Sequence, residues 1–157
     1  MACDLGSMAS VHPFDLRTVL MAKHAQHVVL IHFPIALFLT GVLFDLLSRG
    51  KRSSHLAVAA YLNISVAAVT VFPVVATGLL AWQFVLEGKK LKGLLLWHLM
   101  AASLAAVLVI ASWLVHWRTR RDEPTLLPAY RIPVELLGVA ALAVTAHLGG
   151  FLSGVNS

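Results

Sequence analysis

Three histidines lie inside apolar runs of this 157-residue chain, and their chemistry needs explaining. His32 lies in HVVLIHFPIALF, His98 in LLLWHLMAAS and His147 in TAHLGG. A neutral imidazole can accept a hydrogen bond, pass a proton or bind a metal ion. Because an ionisable side chain within a membrane helix is costly, it usually faces the interior of a helix bundle. Each of these histidines therefore predicts a functional group inside the protein.

The composition of the chain indicates that these histidines lie within a membrane. Hydrophobic residues make up 59% of the sequence and charged residues 12%. Four stretches without Asp, Glu, Lys or Arg reach the roughly 20 residues that a helix needs to cross about 30 Å of hydrocarbon. We predict an all-α integral membrane protein, an antiparallel four-helix transmembrane bundle formed by one domain over residues 24–157. The predicted spans are about 24–48, 55–86, 93–117 and 132–155.

The predicted N-terminal tail, residues 1–23, differs in composition from the spans. It contains acids and has no apolar core followed by a cleavage site, so we expect the first span to act as its own insertion signal. Residues 14–23, FDLRTVLMAK, could form a short amphipathic helix on the membrane surface. The single cysteine, Cys3, cannot form an internal disulfide.

Lys and Arg cluster at the ends of the spans and predict the orientation of the chain. The side with the first and third loops has seven of them, and the side with both termini and the middle loop has five. By the positive-inside rule both termini are expected outside the cell membrane. The net charge of +5 thus orients the chain, and we expect no binding of nucleic acid.

Depth along the helices is expected to bring the three histidines to one level. Measured from the face that holds the termini, at about 1.5 Å per residue, His32 lies roughly 13 Å deep and His98 roughly 9 Å. His147 lies at most about 15 Å from the same face. Thr77 and Gly78 of the second span reach a similar level. The sequence therefore predicts an inner layer with an imidazole from three of the four helices.

Such a layer is typical of a site for b-type haem. A haem between helices needs two imidazoles at matching depth on facing helices, apolar walls and small residues beside the macrocycle. Because the first and third helices lie diagonally across an up-down bundle, His32 and His98 are the preferred axial pair. His147 could donate to a propionate, replace one of the pair, or join His27 in holding a second haem nearer the surface.

Prolines and glycines in the spans allow two interpretations. Pro34 and Pro73 each remove one backbone hydrogen bond, which can be a tolerated kink or can open a cavity between helices. Gly149 and Gly150, followed by Gly154, form a small-xxx-small pattern that favours close helix packing. Small residues at this level would also leave room for a macrocycle.

The remaining ionisable residues of the spans are expected near the membrane surfaces. Asp45 and Glu135 fall near the face opposite the histidine layer, so no carboxylate completes a zinc or di-iron site there. Asp45 lies four residues before Arg49 and is expected to pair with it. His116 is expected to be interfacial.

The other histidines receive surface interpretations. His55 is expected at the interface on the same side as His116. His24 and His27 lie three residues apart on one side of a helix, where either an interfacial role or a surface zinc site is possible. The sequence contains no Ser-His-Asp arrangement, phosphate-binding glycine loop or nucleotide motif.

Four segments together resemble a known family. H-x4-H-F-P-I-A-L, ATGLLAW, WHLMAASLAAVLVI and HLGGFLSG are similar to motifs of a widespread bacterial family of small four-span membrane domains of unknown function, over about residues 24–155. The resemblance marks these positions as site residues: His27, His32, Pro34, Thr77, Gly78, His98, His147, Gly149 and Gly150.

Members of that family are fused to Rieske iron–sulfur or c-type cytochrome domains, so the resemblance implies a redox setting in a bacterial inner membrane. It also implies a redox partner on the outer face and a larger membrane complex. The chain departs from the family in two respects: His27 is followed by Val where Pro is frequent, and SGVNS ends the chain without an appended redox domain. A separate subunit is therefore expected to supply or receive electrons.

The leading hypothesis is a membrane electron-transfer subunit that binds haem b, an electron carrier or accessory subunit rather than a stand-alone enzyme. A second hypothesis is a non-catalytic structural subunit of a respiratory or photosynthetic complex. A third is a transporter or pH sensor in which His32, His98 and His147 relay protons.

Overall fold

Four long helices account for most of the computed structural model, which describes residues 23–51, 53–84, 86–122 and 128–154. The helices are α1 (Lys23–Lys51), α2 (Ser54–Phe84), α3 (Gly93–Asp122) and α4 (Arg131–Leu152). No strand occurs within these described ranges. The prediction of an all-α four-helix membrane bundle is confirmed. The proposed surface helix at 14–23 lies outside the described residues, apart from its last residue.

All four helices are long and apolar enough to cross a membrane, which makes the chain a multi-pass membrane protein. The distribution of side chains is the reverse of that in a soluble domain. Phe72 and Trp97 are 67% and 63% exposed, whereas Arg131 and Glu135 are among the largest fully buried side chains. Lipid would cover the exposed apolar side chains, and charged groups are stable in such a protein only where other protein groups satisfy them.

The bundle consists of two helix hairpins that lie side by side. α1 packs along α2, and α3 packs along α4. Between the hairpins α2 contacts α3, and α1 contacts α4 over a shorter region. The helices therefore follow one another around the bundle in chain order, and α1 and α3 run in the same direction on diagonally opposite sides.

The loop between α2 and α3 is held by a tryptophan at the expected membrane interface. Trp82 donates a hydrogen bond from Nε1 to the carbonyl of Lys89 at 2.9 Å. Glu87 and Gly88 turn the chain with positive φ angles of 52° and 59°. A tryptophan with an apolar body and one donor suits the boundary between lipid and water.

The apolar core fills only one half of the bundle. It lies between the middle of the helices and the ends that carry the first and third loops. The core consists of Phe38, Val42, Ile64, Ala67, Ala68, Val71, Ala105, Val109, Ala141 and Leu142. The other half lies nearer the ends at residues 23 and 154. Apart from Pro34 at its boundary, Ala81 is the only described residue of that half that is buried.

Two glycines bring the helices close together within the packed half. A Cβ on Gly41 would lie 2.7 Å from Cγ1 of Ile64 and 3.3 Å from the carbonyl oxygen of Ala60. A Cβ on Gly138 would lie 2.9 Å from two ring atoms of Phe38. Small residues at helix interfaces allow the backbones of membrane helices to approach, and van der Waals packing then stabilises the bundle.

We predict that Gly41→Ala destabilises the bundle by about 1–3 kcal/mol, because the added methyl group meets both the Ile64 side chain and the α2 backbone. The free energy of unfolding in detergent micelles, obtained from the loss of helix seen by circular dichroism, measures the effect. Ala36→Val adds carbon to the exposed outer face of the same helix and should cost much less. Equal losses for the two variants would contradict close packing at Gly41.

Candidate functional site

The inner faces of the helices carry polar residues at two levels. Asp45 follows His27 by 18 residues on α1, and His116 follows His98 by the same number on α3. Eighteen residues make five helical turns, so each pair lies on one face of its helix about 27 Å apart. We call the end near His27 and His98 the histidine layer. The charge cluster is the group formed at the other end by Asp45, His116, Arg131 and Glu135.

In the histidine layer, His27 of α1 is held by two residues of α2. Its Nδ1 lies 3.2 Å from Oγ1 of Thr77. The Thr77 hydroxyl donates to the carbonyl of Pro73 at 2.9 Å or of Val74 at 3.1 Å, so it accepts from Nδ1–H of His27. A Cβ on Gly78 would lie only 3.0 Å from Cε1 of the ring, and the glycine thus leaves space for the imidazole.

His98 of α3 is held in the same way by α4. Its Nδ1 lies 3.2 Å from the backbone carbonyl of Thr145, which can only accept, so Nδ1 carries the hydrogen. A Cβ on Gly149 would lie 3.2 Å from Cε1 of the ring. Each hairpin therefore seats one imidazole beside a glycine of its second helix. In neutral rings of this tautomer the lone pair is on Nε2.

His27 and His98 lie at one level of the bundle. Ligand atoms of Asp45 and His116 are within 4.8 Å of each other, and both histidines precede these residues by five turns on helices that run in the same direction. Since α1 and α3 are diagonal, the two half-buried rings occupy corresponding inner positions on opposite sides of the bundle.

The inner position predicted for His32 and His147 is wrong. Both side chains are exposed on the outer faces of their helices. His32 lies five residues from His27, about 140° around the helix, and donates from Nδ1 to the carbonyl of Val28 at 2.7 Å. His147 packs edge-on against Phe151 with ring centroids 5.0 Å apart. His98 does face inward, so His27 and His98 form the histidine layer. His32, His98 and His147, the three histidines of the predicted proton relay, therefore do not share one inner surface.

The other residues singled out in the sequence are distributed around this layer. Thr77, Gly78 and Gly149 contact the inner imidazoles, and Gly150 is half-buried. The side chain of His24, the proposed zinc partner of His27, lies outside the described side chains.

At the other end of the bundle a buried ion pair joins α1 to α4. Arg131 donates from Nε and Nη2 to the two carboxylate oxygens of Asp45, each at 2.9 Å, and the two side chains are 2% and 0% exposed. The expected pairing of Asp45 with Arg49 is therefore wrong, and Arg49 is exposed. A local spacing of four residues favoured Arg49, but burial selects the partner that the opposite helix brings inside the bundle.

The second pair of the charge cluster joins α3 to α4. Nε2 of His116 lies 2.7 Å from Oε1 of Glu135, with exposures of 2% and 0%. His116 lies toward the predicted end of the bundle, but its side chain is buried between the helices and not exposed at the interface. Asp45 and Glu135 do lie far from the histidine layer, as expected. One side-chain oxygen or nitrogen atom from each of Asp45, His116 and Glu135 lies within 4.8 Å of the other two. The guanidinium of Arg131 binds the Asp45 carboxylate of this group.

Sequence reasoning missed this cluster although a signal was present. Asp45 is followed three residues later by Ser48, and His116 is preceded four residues earlier by Ser112. Both serines are buried and lie on the inner faces of their helices. Small polar residues one turn away from an ionisable residue indicate an inward face within an apolar span.

Comparison with known proteins gives a family match alone. Residues 23–155 match the family described as “Predicted membrane protein (DUF2231)”. No curated protein and no solved structure matches the chain. The family match confirms the resemblance to small four-span membrane domains that the motifs indicated.

We predict that Asp45→Asn costs about 3–5 kcal/mol of stability, because it leaves the buried guanidinium of Arg131 without its counter-charge. Arg131→Gln should cost a similar amount. The double variant should lose less than the sum of the two single losses, as expected for residues in direct contact. The free energies of unfolding in detergent micelles measure all three.

Arg49→Gln is the control for this pair, since it removes an exposed charge and should change stability by less than about 0.5 kcal/mol. A loss at Arg49 as large as that of Asp45→Asn would contradict the pairing of Asp45 with Arg131.

Proposed function

We propose that this chain, which belongs to the family described as “Predicted membrane protein (DUF2231)”, is a membrane electron-transfer subunit that binds b-type haem between its helices. His27 and His98 are the residues that would hold the haem iron. This pair replaces His32 and His98, because the His32 side chain points away from the bundle interior.

The hydrogen bonds of the two imidazoles are the observation that carries this proposal. Each Nδ1–H donates to an oxygen of the neighbouring helix, Oγ1 of Thr77 for His27 and the carbonyl of Thr145 for His98. Histidines that bind metal ions usually donate their other ring N–H in this way, which fixes the tautomer and the ring orientation. With Nδ1 as the donor in both rings, Nε2 would be the nitrogen that binds the iron.

The incomplete core of the bundle also supports a large apolar ligand at this level. The helices remain apolar beyond the packed half, and Val29, Phe33 and Leu79 are each at least 50% exposed. In the half that contains the histidine layer, Ala81 is nevertheless the only described residue that is buried, apart from Pro34 at its boundary. A flat apolar macrocycle between the helices would take the place of the missing core side chains.

Bound haem would supply reversible one-electron chemistry at a potential set by its two ligands and its surroundings. The chain would contribute three functions. His27 and His98 would bind the iron, Thr77 and the Thr145 carbonyl would orient the rings, and the apolar helices would exclude water. The histidine layer lies near the membrane face that holds the ends of the described chain, so electrons would be exchanged with a partner at that face.

We also propose the cellular setting of this electron transfer. The distribution of Lys and Arg favours termini on the periplasmic side of a bacterial inner membrane. The resemblance to proteins with fused Rieske or c-type cytochrome domains suggests a partner of that kind, within a larger membrane complex.

We predict a b-type absorption spectrum for the purified protein after reduction with dithionite, when it is expressed in cells supplied with haem precursor. His27→Ala and His98→Ala should each lose most of the bound haem, because each removes one of two iron ligands. His32→Ala and His147→Ala are matched controls on the outer faces of α1 and α4 and should retain it.

Haem loss in the His32 and His147 variants, with haem retained in the His27 variant, would refute the proposed ligand pair. A wild-type protein that carries no chromophore would refute the haem proposal itself and would favour a structural subunit.

We predict that Thr77→Ala lowers the affinity for haem by about 10–100-fold, because the Nδ1–H of His27 loses the oxygen that orients the ring. Thr77→Ser keeps this hydroxyl and should bind haem like the wild type. Titration of the apoprotein with haem, followed by absorbance, measures the affinities. Equal weakening in the alanine and serine variants would show that the hydroxyl does not act through His27.

A further inference from the structure

Glu135 of the charge cluster is a fully buried carboxyl group with too few hydrogen-bond donors. Its Oε1 lies 2.7 Å from Nε2 of His116, and its other oxygen, Oε2, has no hydrogen-bond partner. A carboxylate has about four acceptor sites. The hydroxyl of Ser112, buried one turn from His116, also has no partner, so no described group compensates for the missing donors. These two orphaned polar atoms need an explanation that packing alone does not give.

The charges of the cluster leave Glu135 without a full counter-charge. Arg131 of α4 is bound by both its Nε and Nη2 to Asp45 of α1, so these two residues neutralise each other. From the described side chains of α3, the carboxyl group of Glu135 has its hydrogen bond with His116. The second helix contributes Ala60 and Ile64 to the buried surface of this half, and its titratable residues His55 and Tyr61 are not among the buried ones.

One proton makes the cluster neutral. With Glu135 ionised and His116 neutral, the four ionisable groups have a net charge of −1. A proton brings that charge to zero, whereas a divalent metal ion would bring it to +1 beside the guanidinium of Arg131. Because uncompensated charge is costly in a membrane interior, the cluster favours the proton.

We propose that Glu135 is a proton-binding group within the membrane, held as a neutral carboxylic acid whose Oε1–H donates to Nε2 of His116. This inference concerns the opposite end of the bundle from the histidine layer and goes beyond the proposed haem function.

The same pair provides a balanced route for release of that proton. Glu135 passes its proton to Nε2 of His116, and the resulting imidazolium loses its Nδ1 proton to a water molecule at the face of the first and third loops. The imidazole then carries its hydrogen on Nε2, from which it donates to the Glu135 carboxylate. One proton has left, as hydronium, and the net charge of the cluster has changed from zero to −1.

Infrared spectroscopy of the full-length protein in detergent or liposomes tests the proposal. A protonated carboxyl group has a C=O stretch at higher frequency than any carboxylate, and the band shifts when H₂O is replaced by D₂O. At neutral pH we expect this band in the wild type and its complete loss in Glu135→Gln, which keeps the size of the side chain and, in its amide NH₂, a hydrogen-bond donor for Nε2 of His116. Glu87→Gln removes an exposed loop carboxylate and is the matched control, which should retain the band.

Two results would overturn the proposal. The first is a band that persists in Glu135→Gln or is absent from the wild type at neutral pH. The second is calorimetric binding of Zn²⁺ or Mn²⁺ to the wild type with a stoichiometry of about one that is lost in Glu135→Gln, since the cluster would then be a metal site.

If Glu135→Gln does not fold, wild-type protein labelled with ¹³C at the glutamate carboxyl groups decides the question. One glutamate signal at the position of a neutral carboxylic acid at pH 7 would support the proposal. Carboxylate signals for every glutamate would overturn it.

Discussion

The buried ion pair between Asp45 and Arg131 determines how the two helix hairpins of this protein meet. α1 and α4 contact each other over a shorter region than the helices within each hairpin, and the pair lies in this contact. Neither charge is stable in a membrane interior without the other, so the pair fixes the depth and the rotation of α1 relative to α4. The positions of the inner residues follow from these two constraints, because α-helices carry them along at fixed spacing.

The histidine layer follows from this alignment of the helices. Five helical turns separate Asp45 from His27 and His116 from His98, so two aligned polar residues at one end require two aligned imidazoles at the other. The apolar core stops between these levels. One half of the bundle is therefore stabilised by its own side chains, including the close contacts at Gly41 and Gly138, while the other half holds two oriented imidazoles beside glycines. If the proposed function is right, the first half is the scaffold and the second would hold the haem.

The sequence predicted an all-α bundle with four membrane-spanning helices, because the length of a span follows from membrane thickness and its composition from lipid. Counting depth along the helices also placed Thr77, Gly78 and His98 toward the end of the bundle where the structure has the histidine layer. Rotation about the helix axis could not be obtained from depth. His27 and His32 differ by about 140° in the face they occupy and by about 7.5 Å in depth, and the depth argument selected the wrong one. Counting 18 residues back from Asp45 would have selected His27, but only with the knowledge that Asp45 is buried.

The buried partner of Asp45 could not be predicted for a related reason. Arg49 is a local candidate at helical spacing, whereas Arg131 is 86 residues away, and its approach depends on the rotation of two helices at once. Predicting that His116 is buried against Glu135 would also have required the rotation of two helices about their axes. Long-range pairs of this kind depend on the packing of the whole bundle. A short polar pattern such as Asp45 with Ser48 shows only that this face of the helix points inward.

The central claim is that two imidazoles on diagonal helices face one ligand site at one level. Electron paramagnetic resonance of the oxidised wild-type protein, prepared with haem, tests it most directly, because the spectrum of ferric haem reports its axial ligands. The account predicts a low-spin signal typical of two histidine ligands. A high-spin signal, which indicates that at most one imidazole is bound, or the absence of any ferric haem signal would contradict it.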